Sequence, residues 1–295
     1  MADNAPPQAA RRRQMTGPPT PAGGDVTGAV SLPMYDWPEI REATDSFWAM
    51  VRQHLSERGI GAPVALDRFS DPEALWNDPT LLLSQTCGYP YANMLADKVT
   101  LVGTPAHALT GASPGKYFSV LVARKSQAPE HLGKLTGKRF AYNMQHSQSG
   151  FAAPVRMLAA NGHTSLPPPL ETGAHRASIR AVAEGTADWA AIDAVTWELA
   201  KRHEPAAQDL TVFARTPETP ALPLITSQQH ANHAGTIADA FEAAIAGLDK
   251  QVHDAVLITG LMRFKPEDYA PLAALLPVRQ CYPTSPEVAP SRPDR

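Results

Sequence analysis

The sequence predicts an α/β fold in two lobes, and three observations carry that expectation. Short apolar runs alternate with stretches of helical periodicity through the first 120 or so residues. The same alternation repeats in the second half of the chain. Two helical patterns close the sequence with no strand expected between them, so they are expected to return to the first lobe.

The elements follow in order. Val30-Ser31-Leu32-Pro33-Met34 reads as a first strand. Phe47, Val51 and Leu55 fall at i, i+4 and i+8 of a helix capped by Thr44 or Asp45 and stopped at Gly59. Val64–Leu66 reads as a strand, and Asp71-Pro72 opens a short helix with a cap followed by proline at the first helical position. Leu81–Leu83 is a continuous apolar run of the kind buried on both sheet faces. A helix from Tyr89 or Pro90 and a strand at Val99–Val102 complete a strand–helix alternation that implies a parallel sheet.

In the second half, Phe118–Ala123 and Lys138–Tyr142 read as strands and Phe151–Ala160 as a helix. A helix through Ile179 and Val182 ends at Gly185, before a buried strand at Trp189–Ile192 and a helix at Thr196–Lys201. Strands at Thr211–Ala214 and Leu222–Ile225 flank the turn-rich TPETPA. Ile237–Leu248 and Val252–Leu261 read as the closing helices.

The chain has 295 residues, 43% apolar and 19% charged, enough for one large or two medium domains with a sizeable core. A net charge of −3 argues against nucleic acid as the main partner, because a phosphate backbone demands a basic surface. No apolar run approaches the roughly 20 residues of a membrane span, so no direct insertion is expected. Cys87 and Cys281 can pair or stay free. Residues 1–29 and 283–295 are rich in proline and poor in apolar periodicity, and both are expected to be unstructured. Arg11–Arg13 is followed by no apolar export segment, so the sequence as written reads as cytoplasmic, with a periplasmic location expected if the true start lies upstream.

Two stretches combine a strand end, small polar residues and a helix start. One is Ser84-Gln85-Thr86-Cys87-Gly88-Tyr89-Pro90-Tyr91; the other is His146-Ser147-Gln148-Ser149-Gly150. In an open α/β sheet, ligands bind at the carboxyl ends of the strands. Free N–H groups and the positive end of a helix dipole suit an anion there. Hydroxyls add donors, and Gly150 permits close approach to the backbone. Each cluster alone is equally an ordinary helix cap; two of them in separate lobes favour a clamp. Asp193, after the Trp189–Ile192 strand, is a cap or a ligand contact. His175 lies near a helix start, and Tyr35 and Tyr117 line a cleft or belong to the core. His230 and His233 are spaced for one helix face, without a third ligand or an HExxH pattern, so no metal is expected. Neither a nucleotide-loop lysine nor GxGxxG nor GxSxG occurs at these sites, and no cofactor is expected.

SLPMYD at 31–36, SQTCGYPY at 84–91, LVGTP at 101–105, YFSVLVAR at 117–124 and FAYNMQHSQSG at 140–150 resemble the phosphate/phosphite/phosphonate substrate-binding family. GAHRASIRAVAEGTADWAAID at 173–193 and TPETPALPLIT extend the resemblance over about residues 30–280. The family comprises type II periplasmic binding proteins that feed ABC importers. The resemblance implies a two-lobed type II architecture with two hinge crossover strands, around Tyr117–Ala123 and 211–226. Lobe I would comprise 30–122 and 222–282, and lobe II 123–221. It further implies a non-enzymatic protein binding a small oxyanion, a phosphonate, phosphite or phosphate, with ABC-importer membrane subunits as partners. The implied contacts are Tyr35, Thr86, Tyr89, Ser147, Gln148, Ser149, Gly150, His175 and Asp193. Asp193 would accept from a protonated oxygen or an ammonium group. The second expectation, for a cytoplasmic chain, is a sensor or an enzyme resembling the futalosine-pathway enzymes, acting on a carboxylate- or purine-bearing metabolite with His175 and Asp193 as acid and base.

Overall fold

The computed structural model describes residues 28–135, 137–163 and 169–274. The ends expected to be unstructured lie outside the described residues, apart from Gly28 and Ala29, and so does Cys281.

Two five-stranded sheets form the lobes. The first contains β1 (Val30–Ser31), β2 (Leu83–Gln85), β3 (Val99–His107), β11 (Leu224–Ser227) and β12 (Ile258–Met262), in the order β1-β2-β11-β3-β12. The second contains β5 (Ser119–Arg124), β6 (Phe140–Tyr142), β7 (Leu170–Glu171), β8 (Trp189–Asp193) and β9 (Leu210–Arg215), in the order β7-β6-β8-β5-β9. Between the sheets, β4 (Lys116–Tyr117) pairs antiparallel with β10 (Thr219–Pro220), Tyr117 opposite Thr219. The crossings are therefore short, and they lie just before β5 and just after β9.

The sheets are mixed, not parallel as the strand–helix alternation implies. β1 and β2 run parallel, as do β6 with β7 and with β8, but β11 is antiparallel to both β2 and β3. The crossings require this. β3 leaves the first lobe where β11 re-enters it, and β5 enters the second where β9 leaves, so each adjacent pair runs in opposite senses.

Helix α1 (Arg41–Glu57) starts a turn earlier than its apolar spacing suggests, because a 3₁₀ turn at Pro38–Ile40 feeds it. Its Phe47, Trp48, Val51 and Leu55 pack on α7 (Ala234–Ala246), with the Phe47 and Phe241 rings edge-to-face at 4.9 Å. On the other sheet face, Trp76 from α2 (Pro72–Trp76) and Tyr91, just after α3 (Gly88–Pro90), pack with Leu81 and Tyr269. In the second lobe, α4 (Ala153–Ala160) and α5 (His175–Ala183) cover opposite faces, and α6 (Ala194–His203) follows β8. Each large apolar side chain buried this way is worth about 1.5–3 kcal/mol.

Two expected elements differ. Val64–Leu66 is not a strand; Val64 is 77% exposed, and only Leu66 turns inward. The expected final helix breaks after α8 (Lys250–Val256), where Leu257 adopts φ 60°, and Ile258–Met262 continues as β12 against β3. The apolar run continued without a break, but Ile258 and Thr259 are β-branched, and the free edge of β3 offers them a ladder.

Candidate functional site

The stretch after β6 turns sharply into a helix. Ser147 takes an extended conformation (φ −75°, ψ 125°), and its Oγ accepts the Gly150 N–H at 3.0 Å. One π turn, Gln148–Ala152, then leads into α4. The Ser119 hydroxyl donates to the Ser149 carbonyl at 2.8 Å, tying this turn to β5. Ser149 Oγ lies 2.9 Å from His175 Nε2, at the start of α5, so two helix N-termini meet through one serine–histidine pair. Burial pushes His175 down to about 4, with the Ala191 backbone pulling weakly the other way. The imidazole is therefore neutral near pH 7.

Asp193 closes β8, caps the next helix and also bonds across to the first lobe. Its Oδ1 accepts the N–H groups of Val195 and Thr196 at 2.8 and 3.0 Å, capping α6. Its Oδ2 accepts the Tyr35 hydroxyl of the first lobe at 2.9 Å. Burial pushes the carboxyl up to about 6, although all three hydrogen bonds favour the ionised form. Burial, followed by the charge of Asp193, raises Tyr35 well above the usual phenol range.

The first lobe meets the Ser147–Gly150 turn through Cys87. Burial pushes its thiol up to about 11, with the nearby Gln148 backbone pulling the other way. Thr86 is fully buried behind it, with an Oγ1 that has no partner. Tyr89 lies half-buried under the Arg156 guanidinium, 5.6 Å from the ring centre. Gln148 is buried, its Oε1 accepting from Arg156 Nη1 at 3.3 Å. Gly150 is required by packing within its own lobe: a Cβ there would stand 1.9 Å from Asn143 Oδ1 and 3.1 Å from His175 Cε1. Tyr117 is a buried core residue.

A cavity of about 290 Å³ lies between the lobes. Tyr35, Ser147, Ser149, His175 and Asp193 line it, whereas Thr86, Tyr89, Gln148 and Gly150 do not reach its wall. The wall also includes Trp37, Met144 and Arg176, which sequence reasoning passed over. Arg176 Nη2 and Nη1 bind Glu39 Oε1 and Oε2 at 2.8 and 3.1 Å, and its Nε binds Glu204 Oε2 at 2.6 Å. Its guanidinium lies over Trp37, 4.5 Å from the ring centre. A second bridge joins His146 to Glu73 at 3.2 Å, and Arg156 Nη2 donates to the carbonyls of Leu272 and Ala274 at 2.8 Å each. These contacts latch the two lobes together beside the cavity. The position of Arg176 one residue after His175 was the available signal for the latch; nothing local linked it to Glu39, 137 residues away.

Among the described residues no group of three or more His, Cys, Asp or Glu side chains is placed to hold a metal ion, and no helix is long and apolar enough to cross a membrane.

Two α/β lobes joined by a paired crossover, with a cavity between them, define a two-lobed solute-binding architecture. Residues 39–269 match the family model described as "ABC transporter, phosphonate, periplasmic substrate-binding protein", and the chain belongs to that family of ABC-transporter solute-binding proteins. Among solved structures it is similar to PhnD1 from Prochlorococcus marinus in complex with methylphosphonate, at 17% identity and TM-score 0.61, over 84% of this chain and 96% of that one. A binding-protein component of an ABC phosphonate transporter from Pseudomonas aeruginosa gives 18% identity and TM-score 0.62, over 83% and 84%. A Xanthomonas citri protein bound to ATP gives 15% and 0.62, over 84% and 96%. At these identities the likeness is one of fold. No curated protein matches the sequence.

Proposed function

We propose that this protein binds a small phosphorus oxyanion of the phosphonate, phosphite or phosphate class between its lobes and delivers it to the membrane subunits of an ABC importer, without chemical change. The observation that carries the reading is the convergence of two helix N-termini, Ser147, Ser149 and the Asp193–Tyr35 pair on one interlobe cavity. Ser147 accepts from Gly150 and keeps its own O–H to donate. Backbone N–H groups and hydroxyls share the negative charge without a metal or a lysine. Asp193 accepts a hydrogen bond from the P–OH of a singly protonated oxyanion and repels a fully ionised sulfate, which has no such donor.

The binding cycle is a hinge motion about the β4–β10 ladder. A ligand that contacts both lobes favours the closed arrangement, because only there does it gain both sets of contacts. The family's compartment supports a periplasmic site of action, where a solute-binding protein meets its importer.

A thermal-unfolding series with phosphate, phosphite, methylphosphonate, sulfate and malate tests the reading. A phosphorus oxyanion at about 100 times its dissociation constant stabilises the fold by about 2.7 kcal/mol. Stabilisation by malate or sulfate, with none by any phosphorus oxyanion, overturns it. Incubation with the stabilising ligand followed by ³¹P NMR shows the ligand unchanged; a product peak contradicts a purely binding role.

A further inference from the structure

Resting on that reading, the geometry points to a narrower ligand class: an organophosphonate whose phosphorus carries a largely apolar substituent of several carbon atoms with no second anionic group. Inorganic phosphate, phosphite and phosphonates with a second anionic group are excluded as the preferred ligand.

Three observations converge. The first is size. About 10–15 Å³ of cavity space seats one water, so a cavity of about 290 Å³ holds many, whereas a PO₃ head displaces only a few. The head's partners, Ser147, Ser149, His175 and Asp193, account for part of the wall only. The second is the chemistry of the remaining wall, which includes Pro33, Met34, Trp37, Pro72, Met144 and Leu222. These side chains come from both lobes and offer a substituent apolar and aromatic surface. Met34 and Met144 add the adaptable, polarisable contacts that thioethers give an irregular guest. An inorganic anion leaves this surface facing water and gains nothing from it.

The third is charge. Among the described residues, Arg176 is the only Lys or Arg in the wall, and Glu39 and Glu204 already hold its guanidinium. His175 is neutral, while Asp36 and Asp193 contribute carboxylates. A carboxylate or second phosphoryl group on the substituent therefore meets no free cation, and burying it unpaired is costly.

Titration calorimetry of the full chain with methyl-, ethyl-, propyl- and butylphosphonate, and with phosphonoacetate, tests the inference. Each buried methylene contributes about 0.8 kcal/mol, so affinity rises roughly fourfold per carbon. Phosphonoacetate, close to propylphosphonate in length, binds at least tenfold more weakly than it. Met144→Ser, at a partly exposed position in the wall, flattens the chain-length dependence. Affinity that is flat or falls with chain length, or phosphonoacetate binding as tightly as propylphosphonate, overturns the inference and leaves the oxyanion reading standing. Binding by none of the phosphonates overturns the inference, and the oxyanion reading falls with it when phosphate and phosphite also fail to bind.

Discussion

The Tyr35 hydroxyl donates to Asp193 Oδ2 at 2.9 Å, joining two residues 158 positions apart and on different lobes. Asp193 is fixed by its bonds to Val195 and Thr196, and Tyr35 by an edge-on contact with the His107 ring at 5.2 Å. The bond therefore joins two preorganised surfaces and reports directly on closure. Tyr35→Phe keeps the ring and removes the donor. A hydrogen bond to a charged group is worth about 1.5–3 kcal/mol, so ligand affinity is expected to fall roughly tenfold to a hundredfold. Small-angle scattering of the variant is expected to give a larger radius of gyration than wild type. Unchanged affinity and dimensions would show that the bond does not bias closure.

Ser147 and Ser149 separate the cap from the cradle. Ser147→Ala removes the bond to the Gly150 N–H and costs about 1 kcal/mol of stability, read by chemical denaturation. Ser149→Ala removes the partner of His175 Nε2 at the cavity wall, and its main expected effect is a roughly tenfold or greater loss of ligand affinity. Ser149→Ala with wild-type affinity would remove Ser149 from the site.

Gly150 tests the packing of the turn. An alanine there brings its Cβ within 1.9 Å of Asn143 Oδ1, and overpacking of this kind costs about 1–3 kcal/mol. Asn143→Ala removes the clashing atoms, so the double variant is expected to recover much of the stability lost by Gly150→Ala alone. Strict additivity of the two substitutions would mean that the clash relaxes elsewhere.

Stability is expected to fall on acidification, with a calculable sign. His175 and His107 are held down to about 4 by burial, below the usual 6.5, so the unfolded chain takes up each proton first. Each contribution is fully present above pH 6.5 and is lost as pH falls toward 4. Asp193 acts in the opposite sense: raised to about 6, it protonates first in the folded state, and its protonation adds stability as pH falls from about 6 toward 4. One histidine and Asp193 nearly offset, leaving a net loss of roughly 3 kcal/mol over that window. His107→Gln is expected to flatten the slope between pH 6.5 and 4, whatever it does to absolute stability. An unchanged slope in urea-denaturation series would mean that His107 titrates normally.

The strands and helices were legible wherever a period was strong and a boundary carried its own chemistry. Asp71-Pro72 announced α2, and Asp71 Oδ1 does accept the Ala74 N–H at 3.0 Å. Glycines 59 and 185 ended their helices because both take positive φ. Val64–Leu66 misled because three apolar residues make no ladder without a neighbour. β12 was missed because its pairing partner, β3, lies some 150 residues earlier, and only the sheet edge decides between helix and strand there. Strand direction was equally non-local, set by the crossings.

The candidate site divides in the same way. Ser147, Ser149, His175 and Asp193 sit at strand ends and helix starts, where sequence position alone implies exposed N–H groups. The cluster at 84–91 touches the second lobe without lining the cavity: Tyr89 lies under Arg156 of α4, and Thr86 Oγ1 is buried without a partner. Trp37, Glu39 and Arg176 form a unit only after both lobes fold.

The most direct test of the clamp is calorimetric titration of the full chain with ethylphosphonate at pH 7, beside the Ser149→Ala and Asp193→Ala variants. Saturable one-to-one binding is expected of the wild type, weakened at least tenfold in each variant. Binding of equal strength in all three proteins, or none by the wild type while malate binds at one equivalent, would contradict it.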